Sequence, residues 1–306
     1  MRTIFDLKVP ESRWGPADQA GAANEVTSEV VADALRLATG RQILDLSYTI
    51  APDAPRLPAL SPYTLCMWSH PSVSRHLFEE GGIRNGIGFA DERVEMDLHT
   101  GTHIDALGHV CIGDYNYNRI PVVDAAGNFG LEKAGIEQLP PLVTRGILLD
   151  IALYRGSDLE AGEAVTPADL EGAVRHHGVA IRPGDIVLIR TGWGRYYGTD
   201  NDVYVGPAPG IDVAAAEWLT ERRVVAIGAD TMLLEVFPYD PVEPFNSQEV
   251  HSPVHQHLLV KCGTYIIENA KLDEIAAAGS YEFLCMCLAP KFRGGTGSPV
   301  RLAALL

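Results

Sequence analysis

The chain has 306 residues, 46% of them apolar, and carries 40 acidic against 24 basic residues for a formal charge of −16. That apolar content suffices for one large core, while the acidity opposes the counterion-release attraction that drives nucleic-acid binding and disfavours anionic membrane surfaces. No apolar run of about eighteen residues is present, and MRTIFDLKVPESRWG lacks the basic start, apolar stretch and small-residue cleavage site of a secretory leader. A cytosolic protein with no nucleic-acid or membrane partner is therefore expected.

Residues 28–38, SEVVADALRLA, have helical spacing behind a serine cap, with Gly40 as the stop, so residues 1–40 read as an N-terminal helical extension. QILDLSYTI at 42–50 is rich in β-formers and closes on the proline-studded loop APDAPRLPALSP. The second half alternates more regularly, with strands expected at 146–153, 185–191, 224–229, 264–268 and 283–288. Helices fit between them: Thr166-Pro167 opens one that runs to His177 and stops at Gly178, and Asp212 opens another that runs to about Arg222. The turn RPGD at 182–185 feeds straight into IVLIRT. No repeat and no linker divides the chain, which predicts one mixed α/β domain over residues 1–306. Five cysteines, Cys66, Cys111, Cys262, Cys285 and Cys287, form no CxxC pair and read as reduced, with the last two on one strand face.

The polar stretch HTGTHIDALGH holds His99, His103, Asp105 and His109. On one helix, His99 and His103 would share a face while Asp105 and His109 pointed more than about 100° away. On one strand all four would share a face, but at ~3.3 Å per residue the ends would stand roughly 33 Å apart. Gly101 offers a bend between a strand end carrying His99 and a helix beginning at Asp105, on which His109 would follow one turn later. Imidazoles and a carboxylate converging in this way suit a divalent cation, and a partial ligand set leaves positions open for water, as in catalytic sites.

The stretch HTGTHIDALGH resembles the H-x-G-T-H-x-D-x-x-x-H signature of the cyclase-like metal hydrolases, the family that includes bacterial kynurenine formamidase and isatin hydrolase. WGPADQAGAAN at 14–24, LIRTGW at 188–193, IGAD at 227–230, HQHLLVKCGTYIIENA at 255–270 and RGGTGSPVR at 293–301 are similar to segments of its longer members. The resemblance implies a compact α/β fold around a swivelling mixed sheet and a homodimer or homotetramer. It also implies His99, His103 and Asp105 as metal ligands, His109 as general acid/base, and His255 with Glu268 as further ligands. One or two ions per subunit, Zn²⁺ or Mn²⁺, are implied as well. Leu107 stands where formamidases carry proline, and the spacing from His255 to Glu268 is one residue longer than theirs. Both His255 and His257 are thus open as the ligand, with the HQ-x-LL register favouring His255.

Glu268 ends the apolar run TYII, where a buried carboxylate costs several kcal/mol unless paired or bound to a cation. Asp230, closing VVAIGAD, reads either as a strand-end carboxylate near the site or as a helix cap. Trp14 and Trp193, beside glycines, are candidates to line a substrate pocket or to pack in the core. RGGTGSP is either a binding loop or a turn into the last strand. The expected activity is hydrolysis of a small amide, lactam or lactone. The alternatives are metal-dependent ring closure or dehydration on the same ligands, and non-catalytic binding of a metal or small molecule.

Overall fold

The computed structural model describes residues 8–40, 42–237 and 251–306, so the first seven residues of the expected N-terminal extension lie outside it. Helix α1 spans Ser28–Leu35 and is capped one residue earlier than expected, by the Thr27 hydroxyl accepting the Val30 N–H. Strand β1, Ile43–Asp45, covers only the start of 42–50, because Tyr48 turns away to donate its N–H to Thr102 Oγ1 at 2.9 Å. Next come β2 (Thr64–Ser69), helix α2 (Pro71–Glu80) and β3 (Asp91–Glu95), then the three-residue strand β4 (His103–Asp105).

Strand β5, Leu142–Asp150, begins before the expected 146–153 and ends when the Asp150 side chain accepts the Leu153 N–H and starts a short helical turn. Helix α3, Pro167–His177, has the expected cap Thr166 and the expected stop, Gly178 at φ +67°. Strand β6 is Ile186–Arg190, α4 is Val213–Thr220 behind its cap Asp212, and β7 is Ala226–Ala229. A π-helical segment, Gln256–Cys262, leads to β8 (Tyr265–Glu268), followed by β9 (Glu282–Leu288), β10 (Gly297–Pro299) and β11 (Arg301–Leu305).

Nine strands form one mixed sheet in the order β1-β11-β9-β5-β6-β7-β8-β4-β10. Its centre, β5 to β8, is parallel. Those strands read as unbroken apolar runs because both faces are covered, one by α3 and α4 through Leu170, Ala173, Ala215 and Leu219. Ala22 and Ala23 of the N-terminal region belong to the same core, and Ala34 of α1 is buried as well. This is the mixed α/β class expected. Cys285 and Cys287 are buried two residues apart on β9, and none of the five cysteines is in a disulfide. No helix among the described residues is long and apolar enough to cross a membrane.

The sheet leaves β4 between β8 and β10, antiparallel to both, at the carboxyl end of the parallel centre. In open α/β sheets that is where ligand crevices form.

Candidate metal centre

Gly101 makes the turn that the HTGTH stretch needs. At φ +66° it occupies the left-handed region that favours glycine, and the Asp97 carboxylate accepts the His99 N–H at 2.9 Å just before it. His103 and Asp105, two residues apart on β4, then share one face. Glu268 is the register partner of His103 across the β8 ladder and so reaches the same face. No helix begins at Asp105: β4 ends there, the Ala106 N–H pairs with Thr296, and His109 returns through a turn closed by its N–H to Ala106 O. The expected helix is replaced because β4 is paired on both sides by residues far along the chain, Asp105 itself opposite Gly297.

His99 Nδ1 lies 2.8 Å and His103 Nε2 lies 3.6 Å from Asp105 Oδ1. Glu268 approaches with Oε2 at 3.2 Å from His103 Nε2 and Oε1 at 3.2 Å from His255 Nε2, which is also 3.8 Å from Asp105 Oδ2. His257 instead meets Thr220 Oγ1 at 3.0 Å, away from the cluster. The donors fall into two overlapping groups, His99–His103–Asp105 and Asp105–His255–Glu268, each with its atoms within 4.8 Å of one another. The ring of His109 stands 4.2 Å from that of His99 and 6.4 Å from that of His255, and it lines the cavity without a hydrogen bond to any described residue.

The donor chemistry fits a divalent cation. His103 Nε2 and both Asp105 oxygens are buried and, for all the close imidazole and carboxylate atoms around them, none makes a hydrogen bond of good angle, a costly arrangement for three polar atoms that a shared cation would satisfy. The His103 Nδ1 proton is donated to Gly101 O at 2.9 Å, which turns the Nε2 lone pair toward the carboxylates. Burial pushes the Asp105 and Glu268 carboxyls up, but the surrounding imidazoles outweigh it and hold both below the usual range. Burial works against charge on His103 and His255 as well, yet their carboxylate neighbours win and raise both. His109 differs: burial dominates and lowers it, favouring the neutral ring.

The cluster opens on a cavity of about 680 Å³ whose walls include Leu57, Leu60, Val122, Leu131, Met232 and Leu233. Thr296 of the RGGTGSP segment is also in its lining, with Oγ1 3.0 Å from His99 Nε2, and part of that segment forms β10.

The three other expected pocket residues lie elsewhere among the described residues. Trp193 packs with Tyr204 and Met232, behind the cavity wall, and its indole N–H goes to Tyr204 O at 3.2 Å. Asp230 is buried and accepts from Thr191 N at 2.9 Å, Thr191 Oγ1 at 2.7 Å, Gly192 N at 2.9 Å and Gly194 N at 3.5 Å, so it ties down the turn that enters the short 3-10 segment Trp193–Tyr196. Trp14 lines a different cavity of about 340 Å³, with the Arg13 guanidinium 4.1 Å over its ring.

Two residues that sequence reasoning passed over also touch the centre. Glu235 hydrogen-bonds His255 Nδ1, and Asn269 donates to Gly101 O at 2.9 Å beside His103. Glu235 carries the same signal as Glu268, a lone carboxylate inside an apolar run. Asn269 betrays itself only by its place next to Glu268.

Residues 44–236 match the family described as "Putative cyclase". The chain is 26% identical over 262 residues to a kynurenine formamidase of Bacillus thuringiensis, an alignment covering 84% of this chain and 94% of that protein. A crystal structure described as that of a novel cyclase superposes with a TM-score of 0.85 at 31% identity, over 96% of both chains. Isatin hydrolase A from Labrenzia aggregata shares the fold, with a TM-score of 0.63 at 23% identity over 90% of this chain and 98% of its own.

Proposed function

The chain belongs to the cyclase family, and from that membership and its buried donor cluster we propose a metal-dependent hydrolase that cleaves the C–N bond of a small amide or lactam, or a lactone ester. One observation carries this reading: two buried carboxylates and three imidazoles leave three polar atoms unsatisfied at the floor of an open apolar cavity. The kynurenine formamidase relatives, named for an amide, support the bond type.

His99, His103, Asp105, His255 and Glu268 would hold one ion or two, with Asp105 common to both groups. A divalent cation bound there supplies Lewis acidity, lowering the pKa of water toward ~7 and polarising a carbonyl oxygen. The chain's own residues do the rest. Leu57, Leu131 and Met232 exclude bulk water from one face of the substrate and leave its reacting carbonyl toward the imidazoles. The His109 ring, neutral and without a hydrogen bond to a described residue, takes the proton from the attacking water and returns it to the departing nitrogen or oxygen. Its lowered affinity for protons keeps it available as the base near neutral pH.

We further infer a cytosolic enzyme acting as a homodimer or homotetramer. Support for self-association comes from β2, α2 and β3, a two-stranded ribbon with one helix that is almost wholly exposed. Such a ribbon is marginal alone, and its apolar side chains include Trp68 at 80%, Leu77 at 61% and Met67 at 58% exposure. Leu65, Val73, Phe89 and Val94 are exposed beside them, and a stable dimer buries about 800 Å² on each partner. A second copy of this chain is the occupant proposed.

Elemental analysis of the purified protein, followed by turnover assays on amides, lactams and lactones with the identified ion restored, tests the reading. Expected are at least one tightly held Zn²⁺ or Mn²⁺ and a hydrolytic product. Ring closure or dehydration seen in product analysis, or full metal occupancy with no turnover across the panel, would overturn it.

A further inference from the structure

Glu235 is a buried carboxylate to which the proposed reaction assigns no part. It lies in the apolar run MLLEV at 3% exposure, where a carboxylate is costly unless its oxygens are satisfied. Among the described residues, the hydrogen bonds of its carboxylate converge on one place: Oε2 accepts the Val254 N–H at 3.2 Å, and Oε1 accepts the His255 N–H at 3.4 Å and the proton on His255 Nδ1.

A neutral imidazole carries a single N–H, so the bond to Glu235 decides which nitrogen has it. With the proton on Nδ1, the Nε2 lone pair is directed at Glu268 Oε1, 3.2 Å away, and toward Asp105 Oδ2 at 3.8 Å. A lone pair facing two carboxylates is repulsive unless a proton or a metal cation stands between them. The opposite tautomer would donate its Nε2 proton to Glu268 and have no pair left for a metal. Glu235 meets the ring at Nδ1, on the side away from Nε2, and it is outside both donor groups. Its neighbour Leu234 donates its N–H to Glu268 Oε1 at 3.2 Å, so two adjacent residues hold both His255 and Glu268.

We propose that Glu235 is a positioning residue that fixes the tautomer and ring orientation of His255, so that Nε2 faces a divalent cation; this rests on the metal-centre reading above. Outer partners of this kind change metal affinity by roughly 10–100-fold when removed.

The test measures Zn²⁺ and Mn²⁺ affinity of the full chain by competition with a chromophoric chelator, in the wild type, Glu235→Gln and Glu235→Ala, with thermal melts of each metal-free protein alongside. Glu235→Ala is expected to weaken binding roughly 10–100-fold, and Glu235→Gln, which keeps an acceptor for the Nδ1 proton without the charge, to fall between it and the wild type. Nitrogen-15 NMR of the zinc-loaded wild type should find the His255 proton on Nδ1, a reading that needs no variant to fold. Unchanged affinity in a folded Glu235→Ala, a lowered melting temperature with no change in affinity, or an unprotonated Nδ1 would overturn the inference while leaving the metal centre standing. A wild type that takes up neither ion overturns the metal-centre reading first, and the inference with it.

Discussion

His103 and Glu268 face each other as a register pair across the β4–β8 ladder, with Nε2 and Oε2 3.2 Å apart and both residues buried. This cross-strand pair joins the HTGTHID stretch to a segment more than 150 residues later, and it brings a member of each donor group together beside Asp105, which both groups share. Replacing Glu268 by Gln keeps the size of the side chain and removes its charge. The variant should lose more metal affinity than the ~10–100-fold that disturbing an outer partner costs. Chelator competition measures this, and an affinity equal to that of the wild type would remove Glu268 from the ligand set.

Asp105 and His109 should separate binding from turnover. Asp105 is common to both donor groups, whereas His109 belongs to neither and lines the cavity. Asp105→Ala is expected to lose metal and activity together. His109→Ala should keep its metal and lose roughly 10²–10⁴-fold in kcat, the usual value of acid–base assistance. Metal content and rates of both variants decide the matter, since equal metal loss in the two would make His109 a ligand.

How far the sequence reveals this arrangement depends on whether the determining chemistry is local. Helix α3 is legible in both cap and stop, because Thr166, Asp169 and Gly178 act within a few residues of the backbone they satisfy. The four polar residues at 99–109 and the far-off His255 and Glu268 are legible as a chemical set. The path of the chain between Asp105 and His109 is not, because β4 exists only through its pairing with β8 and β10, which arrive from residues 265–299. For the same reason Trp193 and Asp230 read as pocket residues beside a glycine or at a strand end, yet pack behind the wall and into a turn. Glu235 shows the converse: its apolar surroundings mark it out, but only the approach of His255 says what it does.

The exposed ribbon of β2 and β3 predicts association between copies. Trp68 on β2 and Leu77 on α2 are its most exposed large apolar side chains, and aromatic anchors carry most of the binding energy in such surfaces. The double substitution Trp68→Glu, Leu77→Glu should convert an oligomer to a monomer at micromolar concentration while the melting temperature of the isolated chain stays within a few degrees. Sedimentation velocity reads the change, and a wild type that already sediments as a monomer would refute the interface.

Acid stability should depend on Asp169, far from the metal centre. Its carboxylate takes a two-point bond from Arg155, Nε to Oδ1 at 3.0 Å and Nη2 to Oδ2 at 2.8 Å, and accepts the Thr166 N–H at 2.8 Å in the capping box of α3. Burial pushes this carboxyl up, but the Arg155 and Thr166 bonds outweigh burial and hold it below its ordinary value. The unfolded chain therefore binds the proton more readily. The stabilisation is present above the ordinary carboxyl value near pH ~4 and is lost as pH falls through the lowered one. Asp169→Asn should cost about 1 kcal/mol near pH 7, the usual worth of a helix cap. The gap to the wild type should begin to narrow below pH ~4, where the unfolded carboxylate protonates, and close as pH falls through the lowered value of the folded protein. Urea midpoints at pH 7, 5 and 3.5 measure it. A gap that is the same at all three would mean that the charge on Asp169 contributes nothing and that only the shape of the cap matters.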